Sequence, residues 1–439
     1  MTPNPQHDFV LKTIKSRDVH FVRFWFTDVM GAMKSFAVIP SELENAFSDG
    51  MGFDGSCIEG FALERESDML AFPDASTFQV LPWRPESNAV ARMFCDIRTP
   101  DGKPFEGDPR HVLARMSERA ADMGYVFNVG PELEYYYFKD PHGTEVLDTG
   151  GYFDLTTLDY ASDLRRDTVL TLESMGIPVE YSHHEIGPSQ HEIDLRYDEA
   201  LAMADAVMTY KMVVKEIAIK HGVHATFMPK PIAGAPGSAM HVHQSLFDLD
   251  GRNAFFDPKD PEGFGLSALA KSYIAGLLKY APEFCLVTNQ TVNSYKRLVG
   301  DEKAPVQLSW ARSDRTSLVR IPGYRPNRAG ACRVELRCPD PAANPYLAFA
   351  VMLAAGLAGI EEGLALEPPA DANGAGAADA RLLPQSLGEA VELFAESKLM
   401  RETLGEHIHG YLVEAKRAEW NEYQSSVSQW ERDRYLAVL

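Results

Sequence analysis

Apolar and polar positions alternate along much of the first hundred residues. Residues 20–26 and 34–39 alternate, and residues 78–81 and 90–96 are short apolar runs. Period two is the signature of strands with one buried face. Residues 50–66, rich in glycine and charge, are expected to form a loop. Thr99-Pro100-Asp101-Gly102 reads as a turn. Asp108-Pro109 then fits an N-cap with proline at the first helical position, predicting a helix through Met123. A domain boundary falls near 104–108, dividing the chain into residues 1–105 and 106–439.

Past that boundary the period switches repeatedly between two and 3.6. Strands are expected at 126–138, in two arms of a strand–turn–strand over 179–193, and at 225–228, 239–247, 306–310, 317–320 and 333–338. Helices are expected at 162–175, 200–221, 267–281 and from Pro345 onward, where Asn344 precedes an Ala/Gly-rich run. Residues 368–380, rich in Ala, Gly, Pro and Asp, read as an exposed loop, and the remainder as charged helix. There is no internal repeat. The order is α+β rather than regular βαβ, and no GxGxxG or Walker A sequence supplies a phosphate loop.

Composition narrows the function classes. The chain has 439 residues, 45% hydrophobic and 24% charged, which are globular values for two or more core-bearing domains. A formal net charge of −21 argues against a nucleic-acid partner and against docking on an anionic membrane. The five cysteines include no CxxC pair and read as free thiols in a reducing cytoplasm. The first ten residues lack the apolar core of a secretory signal, and no apolar run approaches the ~20 residues of a membrane helix.

Four short segments carry chemistry. In Gly130-Pro131-Glu132-Leu133-Glu134 the two glutamates point to one strand face. Adjacent carboxylates repel unless a cation or proton lies between them; a solvated strand face is the alternative. Glu185 and Glu192 flank a Gly-Pro turn, either as paired ligands or as a polar hairpin tip. His241 and His243 share one strand face and, beside two carboxylate pairs, become ligand candidates. Arg333, Glu335 and Arg337 also share a face, as a structural ion pair or as a ligand among anion clamps. Oxygen donors with one histidine suit Mg²⁺ or Mn²⁺ better than zinc. Two such ions with several arginines fit phosphoryl transfer from ATP.

In order and spacing, these segments resemble class I glutamine synthetases over nearly the whole chain. The resemblance is carried by residues 53–61, 130–134, 183–185, 190–193, 240–243, 293–298, 333–340 and 344–346. Within that family the chain is most similar to actinobacterial-type γ-glutamylpolyamine synthetases. The resemblance implies a small N-terminal β-grasp-like domain and a larger catalytic domain, whose antiparallel strands form a metal-lined barrel surrounded by helices. It implies ATP and two or three Mg²⁺ or Mn²⁺ ions. Glu134, Glu185 and Glu192 would hold one ion, and Glu132, His241 and Glu335 the other. His243, Ser245, Arg315, Arg320 and Arg333 would contact ATP. Arg297, Arg337, Gly237, Tyr152 and Cys57 would contact substrate, and Arg315 would also act catalytically on the transferring phosphate. Asp54, from a neighbouring subunit, would take a proton from the incoming amine. Substrates would be L-glutamate and a small amine, and the assembly a dodecamer of two hexameric rings.

Three positions depart from the family pattern. The flap glutamate of Glu-Ala-Pro falls, counting without a gap from Arg297, on Lys303; a shift of one residue restores Glu302. The second serine of the N-terminal loop is Cys57, and the Asn-Gly-Ser-Gly run reads Pro236-Gly237-Ser238-Ala239. A lysine in the amine pocket would cost a small cation about 1–4 kcal/mol at ~4 Å, which suits a neutral or carboxylate-bearing amine and sits badly with a polyamine. The adenylylation segment of some relatives is replaced by residues 368–380. The expected activity is a γ-glutamyl-amine ligase, with an acceptor other than or besides ammonia. Ordinary glutamine synthesis, a non-catalytic relative and a guanidino-type kinase are the alternatives.

Overall fold

A computed structural model describes residues 4–61, 67–155, 157–261, 263–300, 304–312, 314–325, 328–370 and 381–439. Two sheets organise the chain, each over its own core.

The N-terminal sheet is built from β1 (Val19–Thr27), β2 (Met33–Val38), β3 (Met51–Asp54), β4 (Asp68–Pro73), β5 (Gln79–Val80) and β6 (Ala89–Arg98). Its order is β2-β1-β6-β4-β3, with β5 also on β6. β1 and β6 run parallel, and the remaining pairs antiparallel. Two helices, α1 (Pro5–Ser16) and α2 (Leu43–Asp49), accompany it. Phe26, Phe36, Phe53 and Phe61 interlock at centroid distances of 5.0–6.4 Å to fill its core. The expected loop over 50–66 is corrected in its first part: residues 51–54 pair with β4, because Phe53 has that aromatic core to pack on. Residues 62–66 lie outside the described set.

The second sheet has nine strands in the order β13-β14-β15-β12-β7-β9-β8, with β10 and β11 also on β7. They are β7 (Tyr125–Phe138), β8 (Val179–His184), β9 (Gln190–Leu195), β10 (Asp198–Glu199), β11 (His224–Thr226), β12 (Met240–Asp248), β13 (Trp310–Ala311), β14 (Val319–Arg320) and β15 (Val334–Leu336). Around it lie α3 (Pro109–Asp122), α4 (Ser162–Ser174), α5 (Ala200–Lys220), α6 (Ala268–Thr288), α7 (Val292–Gly300), α8 (Pro345–Glu361), α9 (Leu387–Glu396), α10 (Lys398–Ser425) and α11 (Gln429–Tyr435).

The helix starts follow their capping chemistry. Asp108 accepts from Arg110 N with Pro109 at N1, and Asn344 accepts from Tyr346 N with Pro345 at N1. α8 is apolar on all sides and fully buried from Pro345 to Gly359. It lies in backbone contact with α6: a Cβ on Gly276 would stand 2.2 Å from Ala355 O. α6 outruns its expected end at 281, passing Pro282 to Thr288, since its last turns are buried in that packing. The expected strand 306–310 is corrected too. Its backbone bonds instead to 381–383, with Leu308 N donating to Arg381 O and Leu383 N to Val306 O, and only Trp310–Ala311 joins the sheet. No helix among the described residues is long and apolar enough to cross a membrane.

The two bodies are pinned by buried polar groups. Arg110 of α3 bridges Asp74 and Asp96 of the N-terminal body and Asp205 of α5. Asn344 Nδ2 donates to Asp28 O, and Gln290 Nε2 to Met30 O.

Candidate active site and metal centre

Strand pairing lays the charged side chains out in rows on one sheet face. Across β8, β9, β7 and β12, one row reads Tyr181, Asp194, Glu132 and His241. The next reads His183, Glu192 and Glu134. His243 of β12 faces Glu335 of β15, which faces Arg320 of β14. Side chains two apart on a strand share a face, so Glu132 and Glu134 on β7 and Glu192 and Asp194 on β9 form a block of four carboxylates. Glu185 sits just past β8, its Oε1 3.0 Å from His183 Nε2.

Two donor sets result on this face, and a third group of the same kind forms at Asp148, His184 and His191. Glu132, His241 and Glu335 bring ligand atoms within 4.8 Å of one another, as do His183, Glu185 and Glu192. The structure brings Glu132 together with His241 and Glu335, and Glu185 together with Glu192, but the second set holds His183 in place of the expected Glu134. Glu134 Oε2 accepts from Gln190 Nε2 (3.0 Å) and Ala239 N (2.9 Å), so Oε1 is the oxygen it can offer. Two residues of this face went unread in the sequence. His183 opposes Glu192, and Asp194 opposes Glu132; the Glu192-x-Asp194 spacing was the available signal.

The electrostatics are those of a face short of positive charge. Burial, then Glu185, raises the Glu134 carboxyl to about 8. Burial, then Asp194 and Glu134, pushes Glu192 well up, and burial with Glu132 lifts Asp194 to about 6. Burial pushes Glu132 the same way, but His243 and His241 outweigh it and hold Glu132 well below its ordinary value. Carboxylates this crowded keep protons unless cations replace them. All the donors are carboxylate oxygens and imidazoles with no thiolate, which fits hard divalent ions.

The arginines line the β12–β15 side. Arg320 Nη1 contacts Glu335 Oε2 at 2.6 Å, and Arg337 Nη1 contacts Glu335 Oε1. Arg333 Nε donates to His243 Nδ1 (3.2 Å), whose Nε2–H donates to Glu132 Oε1 (2.6 Å). Ser245 follows on the same face of β12 and is buried. Arg315 accepts through its carbonyl from Arg337 Nε, and its side chain reaches the Tyr152 phenol. Tyr152 stacks on Phe153 at 4.1 Å and stands edge-on to His183 at 5.3 Å.

Arg297 is 3% exposed and donates to the carbonyls of Arg337 and Cys338. Gly237 packs beneath it: an added Cβ would stand 2.7 Å from Arg297 Cγ and 2.7 Å from Pro229 O. Pro236 O accepts from Tyr136 Oη, which anchors the altered run. Asp54 and Cys57 lie elsewhere, at the end of edge strand β3 and in the turn after it. Asp54 is exposed, with Oδ1 accepting from Ser56 N at 2.8 Å, and Cys57 is an exposed thiol. Glu302 and Lys303 lie outside the described residues.

Comparison with known proteins identifies the family. The family description "Glutamine synthetase, catalytic domain" matches residues 106–435, and "Glutamine synthetase, beta-Grasp domain" matches residues 18–100. A protein named glutamine synthetase from Mycolicibacterium smegmatis is 52% identical over 99% of both chains. Another from Methanosarcina mazei is 51% identical over 98% of this chain and 97% of its own. A solved structure described as a GmaS/ADP complex superposes with a TM-score of 0.89 at 31% identity, covering 98% of this chain and 99% of that one. The chain belongs to the class I glutamine synthetase family, whose members are ATP-dependent ligases that use divalent metals such as Mg²⁺ or Mn²⁺.

Proposed function

We propose that this ligase joins the γ-carboxylate of L-glutamate to an amine by way of γ-glutamyl phosphate, and that ammonia is not its preferred acceptor. The observation that carries the first half is the sheet face itself: Glu132, Glu134, Glu185, Glu192 and Glu335 with His241, bordered by Arg320, Arg333 and Arg337. A glutamate oxygen attacks the γ-phosphorus of ATP and ADP leaves. The amine nitrogen then attacks the γ-carbon and phosphate leaves with the acyl oxygen.

Divalent ions on the two donor sets would neutralise charge on the phosphates during transfer. Glu134, Glu185 and Glu192 would hold the ion nearer glutamate, and Glu132, His241 and Glu335 the ion nearer ATP. His243, Ser245, Arg315, Arg320 and Arg333 would fix ATP, while Arg337, Arg297 and Gly237 shape the glutamate pocket. Asp54 of a neighbouring copy would accept the amine proton beside Tyr152 and Cys57. Its place on the N-terminal edge strand, engaged locally with Ser56, suits such a donated role. The same reading divides the chain at 105/106 and makes it a cytoplasmic dodecamer of two hexameric rings.

The second half rests on the amine end. Cys57 and Pro236 replace the family's small polar residues, and Lys303 or Glu302 takes the flap position. One observation favours the other reading, plain glutamine synthesis: relatives 52% and 51% identical carry that name. An amine panel scored by ATP-dependent phosphate release and product mass separates the two. A larger amine, neutral or carboxylate-bearing, should turn over faster than ammonium and yield the amide mass. Equal or better turnover with ammonium, unchanged by Lys303→Glu, establishes glutamine synthesis instead. Phosphate release with no amine at all sinks the ligase reading, and a phosphorylated guanidine product would replace it with a kinase.

A further inference from the structure

Behind the His183–Glu185–Glu192 set lies a buried carboxylate to which neither the sequence reading nor the reaction assigns a role. Asp148, 9% exposed, lies within the segment that joins β7 to α4. Its Oδ1 accepts from Ser189 N (2.9 Å), from His184 Nε2 (3.0 Å) and, at longer range, from Gly150 N (3.4 Å). Its Oδ2 accepts from Tyr160 N (3.0 Å). Ser189 Oγ reciprocates by accepting from Leu147 N and Asp148 N. One side chain therefore ties both ends of the 148–160 loop to both arms of the hairpin turn, between His184, which precedes Glu185, and Ser189, three residues before Glu192.

The loop is tight where it meets the hairpin. Phe153 N donates to His184 O at 3.0 Å. A Cβ on Gly150 would stand 2.5 Å from Leu158 O and 2.9 Å from His184 Nε2, so only glycine fits. Phe153 (φ 62°), Thr157 (φ 70°) and Ser189 (φ 58°) are non-glycine residues in the left-handed region. Such residues persist only where surrounding contacts over-determine them. The loop carries Tyr152 and Phe153, 47% and 57% exposed, both edge-on to His183 at 5.3 and 4.8 Å.

We propose that Asp148 is a positioning residue that couples cation binding at His183, Glu185 and Glu192 to the ordering of the Tyr152–Phe153 loop. The aromatic wall at the acceptor end is then completed only when the cation is in place. The proposal rests on the metal reading of that site. A cation that draws Glu185 and Glu192 together fixes the hairpin turn, and the turn presents Ser189 N and His184 Nε2 to Asp148. By linkage, whatever the cation adds to the Asp148 contacts those contacts add to the cation, so breaking them must weaken cation binding in the same measure. Groups bonded directly to metal ligands typically change metal affinity about 10–100-fold when removed; Asp148 acts one bond further back, through His184 and Ser189, so its effect should sit at or below the low end of that range.

Hydrogen exchange and Mn²⁺ binding followed by electron paramagnetic resonance, both on the full chain, test this. In the unmodified protein Mn²⁺ should slow amide exchange in residues 149–160. Asp148→Asn should weaken Mn²⁺ by up to about tenfold at one site and abolish that protection. Asp154→Ala removes the acceptor of Gly151 N inside the loop and leaves the Asp148 contacts in place; it should speed exchange at the Gly151 amide but leave Mn²⁺ affinity within about twofold, since coupling runs through Asp148. Absence of Mn²⁺ binding to the unmodified protein overturns the two-metal reading. Mn²⁺ binding without loop protection, or wild-type Mn²⁺ affinity in Asp148→Asn, overturns the coupling alone. If Asp148→Asn does not fold, the unmodified protein and Asp154→Ala still decide: missing protection in the first, or weakened Mn²⁺ in the second, refutes it.

Discussion

Replacing Arg110 by alanine should detach the N-terminal sheet from the catalytic body before anything else fails. The Arg110 side chain is 7% exposed and serves three carboxylates on two bodies: Asp74 at 2.8 Å, Asp96, and Asp205 through two nitrogens at 3.1 and 3.2 Å. The three are not equal. Asp96 is 46% exposed and rehydrates when its partner goes, so its share is that of a surface pair, about 0–1 kcal/mol. Asp205 is 9% exposed and keeps only the Tyr346 phenol, at 2.6 Å, among the donors that bridged it. Removing one member of such a buried pair costs about 3–5 kcal/mol, because the remaining charge stays out of water. Arg110→Ala should therefore lose about 3–5 kcal/mol, and Asp96→Asn less than about 1. With two bodies a single two-state transition is not expected. Urea unfolding followed by hydrogen exchange should show residues 19–98 opening at lower denaturant than the nine-stranded sheet in Arg110→Ala. A loss under about 1 kcal/mol, or equal losses in the two variants, refutes the reasoning.

Three further outcomes are expected. Gly237→Ala drives a methyl to 2.7 Å from both Arg297 Cγ and a backbone oxygen, so KM for glutamate should rise about tenfold or more with a smaller change in kcat, one such clash costing about 1–3 kcal/mol; steady-state kinetics at saturating ATP checks it. Glu335→Gln leaves Arg320 and Arg337 without their shared carboxylate and removes one ligand of a donor set, so Mn²⁺ stoichiometry should fall by one and activity at least a hundredfold, about 2.7 kcal/mol; retained stoichiometry argues against the ligand assignment. Burial, then Lys215, lowers the Lys211 amine to about 7, its Nζ donating to Ala343 O at 3.1 Å. The folded state thus prefers it neutral, and the penalty for charging it is complete below about 7 and vanishes as pH rises through the unfolded value near 10.4. Lys211→Met should stabilise the protein at pH 6 and lose that advantage by pH 10; a pH-independent difference in denaturation midpoint contradicts this.

The charged motifs were legible because strand geometry is local. Two-residue spacing alone puts Glu132 with Glu134 and His241 with His243 on common faces, and the Gly-Pro turn between Glu185 and Glu192 forces a hairpin. The caps Asp108 and Asn344, each before a proline, set two helix starts for the same reason. Family resemblance supplied the roles. What stayed hidden depends on which strand pairs with which. Nothing near Asp194 announces that Glu132 lies opposite it, nor near His183 that it faces Glu192; register across β8, β9 and β7 decides both. Strand β3 looks like loop in the sequence because its partner β4 and the phenylalanines it packs on, Phe26 and Phe36, lie elsewhere along the chain. Residues 306–310 alternate like a strand but bond to 381–383, more than seventy residues away. Asp148 is the clearest case. In sequence it is one acid in a polar loop, and only folding brings four backbone and imidazole donors onto its two oxygens. Sequence by itself determined which side chains could carry charge chemistry on a strand face, since that follows from bond geometry. The tertiary structure decided which of them meet, since burial and pairing are properties of the whole chain.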